Sequence, residues 1–170
     1  MEYLLKRIAI LMKVGIFRSQ NGELTSYQKH AEYNPILHSE RLREHLIEAA
    51  SRQEFPYLYK DKYSVYFACI QAEDSFYLIG PMSIQLLERV ELHHYYRNYE
   101  MTKETEKRLL HFSFAEVLDI VEVIAKIVSG EEYSDDDLIY ANHLIRETKE
   151  QEEHEQVLFD MKEGEEELYH

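Results

Sequence analysis

The sequence predicts an α+β protein, an antiparallel sheet with flanking helices followed by carboxy-terminal helices. Three observations lead there. Residues 55–82 hold two short apolar, aromatic runs around a polar, acidic turn: 63–70 and 76–79 are rich in β-branched, aromatic and small residues, the pattern of paired strands. Asn21-Gly22 stands between two further strand-like runs, the strongest short-range hairpin signal. On both sides of these segments apolar residues recur at steps of three and four, the period of a helix with one buried face.

Taken in order, residues 1–14 carry Leu4, Leu5, Ile8, Leu11 and Met12 at helical spacing, a stripe suited to a core or a dimer partner. Lys6, Arg7 and Lys13 lie inside this run and no small-residue cleavage site follows. About 18 uninterrupted apolar residues would be needed to span a bilayer, so neither a signal peptide nor a membrane span is expected. Ile16-Phe17-Arg18 and the run from Glu23 to Tyr27 read as strands one and two. Pro35 closes the next loop, and Ser39 caps a helix with Leu42, His45, Leu46, Ala49 and Ala50 that ends near Gln53. Tyr57-Leu58-Tyr59 follows as a strand, Asp61-Lys62 as a turn, and then the central hairpin.

Proline has no amide to donate to a ladder, so the sheet is expected to stop at Gly80-Pro81. Ile84, Leu86, Leu87, Val90 and Leu92 spell a helical piece, followed by the aromatic cluster His93-His94-Tyr95-Tyr96. Ser113-Phe114-Ala115-Glu116 has the form of a capping box, with Val117, Ile120, Val121, Ile124, Ala125 and Val128 behind it and Gly130 just past the end. Ser134 and three aspartates open a last helix, acids lying where the positive end of its dipole favours them. Its apolar face, Leu138, Ile139, Ala141, Leu144 and Ile145, fades after Thr148.

At 170 residues the chain is long enough for one domain with an appendage. Its only cysteine, Cys69, excludes an intrachain disulfide, fits a reducing, cytoplasmic setting, and reads as a core residue of a strand. The net charge of −14 is uneven: residues 131–170 carry fifteen acids against three bases, leaving the first 130 residues with eighteen acids and sixteen bases. The folded body is thus nearly neutral and the tail strongly acidic, which argues against direct contact with nucleic acid.

No motif carries catalysis. His93 and His94, with Glu91 and Glu100, could be taken for metal ligands, but adjacent histidines point to different faces, and no His-Glu-x-x-His, cysteine pair or calcium loop is present. Asp135-Asp136-Asp137 is explained by a helix first turn, and residues 150–155 by a solvated face. Five unclustered glycines make no phosphate loop, and no Gly-x-Ser-x-Gly occurs, so no catalytic residue, cofactor or metal ligand is assigned. What remains is an aromatic lining. Tyr57, Tyr59, Tyr63, Tyr66, Phe67, Phe76 and Tyr77 are candidate ligand-binding residues around an apolar pocket with a few hydroxyls, or else ordinary core. Alternation along a strand allows only about half of them to point one way.

Phe55-Pro56-Tyr57, the run Tyr77-Leu78-Ile79-Gly80-Pro81, the Ser113 helix, Gly130-Glu131-Glu132-Tyr133-Ser134 and the tail Glu165-Glu166-Glu167-Leu168-Tyr169-His170 resemble the amino-terminal region of AraC-type transcriptional regulators of Firmicutes. The resemblance implies a PAS/GAF-like sensory domain over 1–112 and a helical extension over 113–170 connecting to a helix-turn-helix DNA-binding domain that these residues do not contain. It also implies an unknown small-molecule effector and a homodimer formed through the amino- and carboxy-terminal helices. Two other readings stand beside it: a dimerisation module without ligand, and a small metal-dependent enzyme using His93, His94, His111 and nearby carboxylates.

Overall fold

The computed structural model describes residues 1–101 and 107–144. Of the helical extension expected to act as a connector over 113–170, residues 145–170 lie outside the described residues. Within them the chain builds a five-stranded, wholly antiparallel sheet in the order β2-β1-β5-β4-β3. The strands are β1 (Gly15–Gln20), β2 (Glu23–Ser26), β3 (Tyr57–Lys60), β4 (Val65–Ala72) and β5 (Ser75–Ser83). Six helices accompany it: α1 (Glu2–Met12), α2 (Pro35–His38), α3 (Glu40–Ser51), α4 (Arg89–Asn98), α5 (Phe114–Ser129) and α6 (Asp135–Ala141).

The helices divide into two layers because the strands alternate. Ile16, Leu58, Tyr66, Ala68, Ile70, Tyr77 and Ile79 point to one face, where they meet Leu5 and Ala9 of α1, the apolar side of α5 and Leu138 of α6. Phe17, Val65, Phe67, Cys69 and Leu78 point to the other, against Ile36 of α2, Leu42, Leu46 and Ala50 of α3, and Leu92, Tyr95 and Tyr96 of α4. With both faces covered, β4 is buried for six consecutive residues, from Val65 to Ile70, which is why it reads as a continuous apolar run. α5 lies directly on β4 and shares its core, so α5 belongs to the same body as the sheet.

Local signals set most boundaries. Asn21 and Gly22 both take positive φ in the β1–β2 turn. Ser39, Ser113 and Ser134 cap α3, α5 and α6 through their hydroxyls, the last two as complete capping boxes with Glu116 and Asp137, and Gly130 ends α5 in the left-handed region.

Two expectations are corrected. The sheet does not stop at Gly80-Pro81: the cis peptide lies within β5, which continues to Met82 and Ser83 opposite Tyr66 and Val65. Pro81 is tolerated because the β4–β5 register shifts between Tyr66 and Ala68, and at this irregularity no ladder amide is required of it. The helical piece read from Ile84 onward begins only at Arg89. Leu86 and Val90 are exposed, and α4 instead buries Leu92, Tyr95, Tyr96 and, just past its end, Tyr99, at steps of three and four. The aromatic cluster is the core face of the helix. Pro35, read as closing a loop, occupies the first turn of α2, where its missing amide costs nothing, with the Asn34 side chain accepting from the Ile36 amide.

Candidate functional site

The seven aromatic candidates fall on both sides of the sheet. Tyr66 and Tyr77 belong to the layer under α1 and α5, while Tyr57, Tyr59, Tyr63, Phe67 and Phe76 belong to the layer under α3 and α4. The latter five are joined there by His45 and Tyr99, which are not among the seven candidates. His45 of α3 sets its Nε2 2.9 Å from the Tyr57 hydroxyl and its ring edge-on to Tyr59, and Phe67 packs edge-on against Tyr99.

At the centre of this layer is Asp61, 6% exposed. Its Oδ1 accepts from the amides of Tyr63 (2.8 Å) and Val65 (3.0 Å), fixing the turn into β4, and its Oδ2 accepts from the Tyr99 hydroxyl at 2.6 Å. Burial raises the Asp61 carboxyl above the ordinary carboxylate range, opposed by the Tyr99 hydroxyl and the two amides. Tyr95 stacks edge-on with Tyr63 and Tyr99 and is wholly buried, yet its hydroxyl meets no hydrogen-bond partner among the described residues. Burial, and then the nearby Asp61, hold that phenol well above its usual pKa. The result is a polar point, one carboxyl and two phenols, inside an otherwise aromatic layer. Asp61 was legible only as a turn residue, and Tyr99 carried no signal at all.

Two hollows open elsewhere on the surface, and none of the seven aromatics lines either. One, of about 250 Å³, lies between the end of α1, the loop after β2, Pro81 and residues 107–110. The other, of about 510 Å³, lies between the end of α3, residues 53–56 and the strand β4, beside Tyr133.

A third constellation joins α5 to α6. Asp119 and Glu122, one turn apart on the outer side of α5, meet Asp135 of α6, with ligand oxygens of all three within 4.8 Å of one another. One Glu122 oxygen, Oε2, is shut from solvent without a hydrogen-bond partner among the described residues. Burial, then hydrogen bonding to Asp135 and the charges of Asp135, Asp119 and Asp137, push its carboxyl up to about 8, since a proton on Glu122 turns repulsion into donation. The Asp119, Glu122 spacing and the aspartate run were both visible in the sequence; their meeting required the α5–α6 turn. His93, His94 and His111 form no such group: the first two are neighbours on α4 and His111 bridges to Ser83 at the end of β5. Burial raises the Cys69 thiol, in keeping with a core residue. No helix among the described residues is long and apolar enough to cross a membrane. No family model, no curated protein and no solved structure matches this chain.

Proposed function

We propose that this chain is the dimerising, effector-sensing region of a cytoplasmic bacterial transcription regulator, with a PAS/GAF-like sensory body and with DNA contacted by a helix-turn-helix domain outside these residues. The observation that carries the reading is the second apolar side of α1. Leu5 and Ala9 are spent on the core, but Met1, Leu4 and Leu11 face outward at 54%, 50% and 75% exposure, and with the half-buried Ile8 they follow the 3-4-3 spacing of a two-helix seam. The same layer exposes Val123 of α5 and Tyr140 of α6. A second copy of α1 covers such a stripe with its own identical one, the self-complementary arrangement of a two-fold dimer.

Support for the sensory half is the buried Asp61, Tyr95 and Tyr99 group under α4. An effector with one polar group seated in the aromatic layer would satisfy the Tyr95 hydroxyl, and the shift of α4 needed to admit it would alter the layer as a unit. Light scattering of the chain and of a Leu4→Glu/Leu11→Glu variant tests the dimer. A wild-type mass twice that of the variant is expected, and a monomeric wild type at micromolar concentration removes the reading.

A second reading has the Asp119, Glu122 and Asp135 cluster in its favour. Three carboxylates suit a hard cation such as Mg²⁺ or Ca²⁺, the ligand set of a small metal-dependent enzyme. Under that reading millimolar Mg²⁺ or Ca²⁺ raises the melting temperature of the wild type and not of Glu122→Gln.

A further inference from the structure

The hollow at the end of α1 gathers positive charge in a chain of net charge −14. Lys13 follows the last turn of α1, Lys29 and His30 come from the loop after β2, and Lys107 and Arg108 from the segment leading to α5. Four of the nineteen Lys and Arg residues thus border one recess, and among the described residues no Asp or Glu lines it. Lys13, Lys29 and Arg108 make no ion pair with a described residue, Lys107 lies over the Tyr33 ring at 5.4 Å, and His30 has Glu32 3.9 Å from its Nδ1. Cations from three separate segments repel one another across a shared hollow, an arrangement that an anion between them relieves.

The recess is built on a fixed floor. Buried Asn34 donates from Nδ2 to Gln28 Oε1 and to the Gly80 carbonyl, both at 2.8 Å, while its Oδ1 caps α2. Gly15 lets these groups close in: a Cβ there would lie 2.1 Å from Asn34 Nδ2 and 2.6 Å from the Gly80 oxygen. The wall formed by 107–110 is tied to α4 by the Tyr96 hydroxyl, which donates to the Lys107 carbonyl at 2.7 Å. Little reorganisation is therefore needed to receive a ligand.

We infer that this recess binds a small phosphate monoester, the phosphate held by Lys13, Lys29 and Arg108 and a short carbon skeleton lying beside Tyr33. A dianion matches the charge gathered here better than a single carboxylate does. A volume of about 250 Å³ takes a small molecule and not a folded partner. Long polyanions are opposed by the field of the whole chain, which acts at distances where these few cations are outweighed. The recess shares Tyr96 with the layer under α4, but none of Asp61, Tyr95 and Tyr99 and none of Met1, Leu4, Ile8 and Leu11 lines it, so its test is independent of dimerisation and of an effector at the Asp61 group.

Calorimetric titration of the full chain at low ionic strength tests it, using glucose 6-phosphate, glycerol 3-phosphate, inorganic phosphate and glucose as probes. At least one of the two esters is expected to bind more tightly than inorganic phosphate, with glucose silent. Lys29→Gln and Arg108→Gln, both exposed and checked for unchanged far-UV circular dichroism, should each weaken that binding roughly tenfold, as loss of a hydrogen bond to a charged group does. No heat from any phosphate probe, or ester binding that survives the double variant, overturns the site. Inorganic phosphate binding as tightly as both esters overturns the carbon-skeleton half of the inference. A short single-stranded oligonucleotide binding more tightly than the esters, and losing that affinity in the same variants, replaces the small molecule with nucleic acid.

Discussion

Tyr95 and Tyr99 sit one helical turn apart and touch, yet their hydroxyls have opposite standing. Tyr99 donates to Asp61, so Tyr99→Phe leaves a buried carboxyl oxygen unpaired and is expected to lower stability by about 1–3 kcal/mol. Tyr95→Phe removes a buried hydroxyl without a partner among the described residues and is expected to leave stability unchanged or raise it by about 1 kcal/mol. Urea midpoints of the two variants decide this, and two losses of equal size would mean that the Tyr95 hydroxyl is satisfied in solution. Glu122 offers a test with pH. Its carboxyl titrates near 8 when folded and near 4.5 when unfolded, so below 4.5 both states hold the proton and no penalty arises. As pH rises from 4.5 to 8 the unfolded chain releases the proton while the folded chain retains it, and stability falls across that window and levels off above it. Glu122→Gln, permanently neutral, is expected to flatten this fall, so that its urea midpoint exceeds the wild type's by more at about pH 8.5 than at about pH 5.

Among the elements, the β1 start and the loop after β2 are the least forgiving. Gly15→Ala directs a methyl group into Asn34, Gln28 and the Gly80 carbonyl, and a loss of about 1–3 kcal/mol, read from thermal or urea unfolding, is expected from overpacking a site with no slack. The edge strand β3 is guarded differently: Asn142, at the end of α6, accepts from the Leu58 amide at 2.9 Å and donates to the Pro56 carbonyl at 2.9 Å, occupying groups that would otherwise invite another strand. Helices and strands with strong local signals were legible in the sequence. The capping boxes at Ser113 and Ser134, the Asn21-Gly22 turn and the Gly130 stop each fix a boundary through chemistry contained in four or five residues. Pro81 was misread because the irregularity that excuses it, Gly80 and Pro81 together set against Phe67, exists only in the pairing of β5 with β4 and not in the local sequence. The start of α4 was misread because Leu86 and Val90 are apolar but exposed, so their spacing carried no burial. For the candidate site the limit was similar: alternation along β4 already divided Tyr66 from Phe67, but the Asp61–Tyr99 bond joins residues 38 apart, and no local pattern announces it.

On the scale of the whole molecule, charge is arranged by region. Twelve of the net fourteen negative charges fall in 131–170, and the cationic recess lies in the nearly neutral remainder. The chain is therefore expected not to retard a DNA duplex in a gel at physiological salt, and a clear shift would contradict the assignment of DNA contact to another domain. The sheet between the two helical layers has a further consequence. From Val65 to Ile70 each residue of β4 is read by one layer and its neighbour by the other: Tyr66 answers to α5 and Phe67 to α4. A strand with a wet side can drift in sequence at every second position, whereas this one has no neutral side on which change can accumulate. The history of such a protein would be recorded in β2, in the rim of the recess and in the outer faces of its helices, while β4 and β5 would change only when residues on both sides of the sheet changed with them.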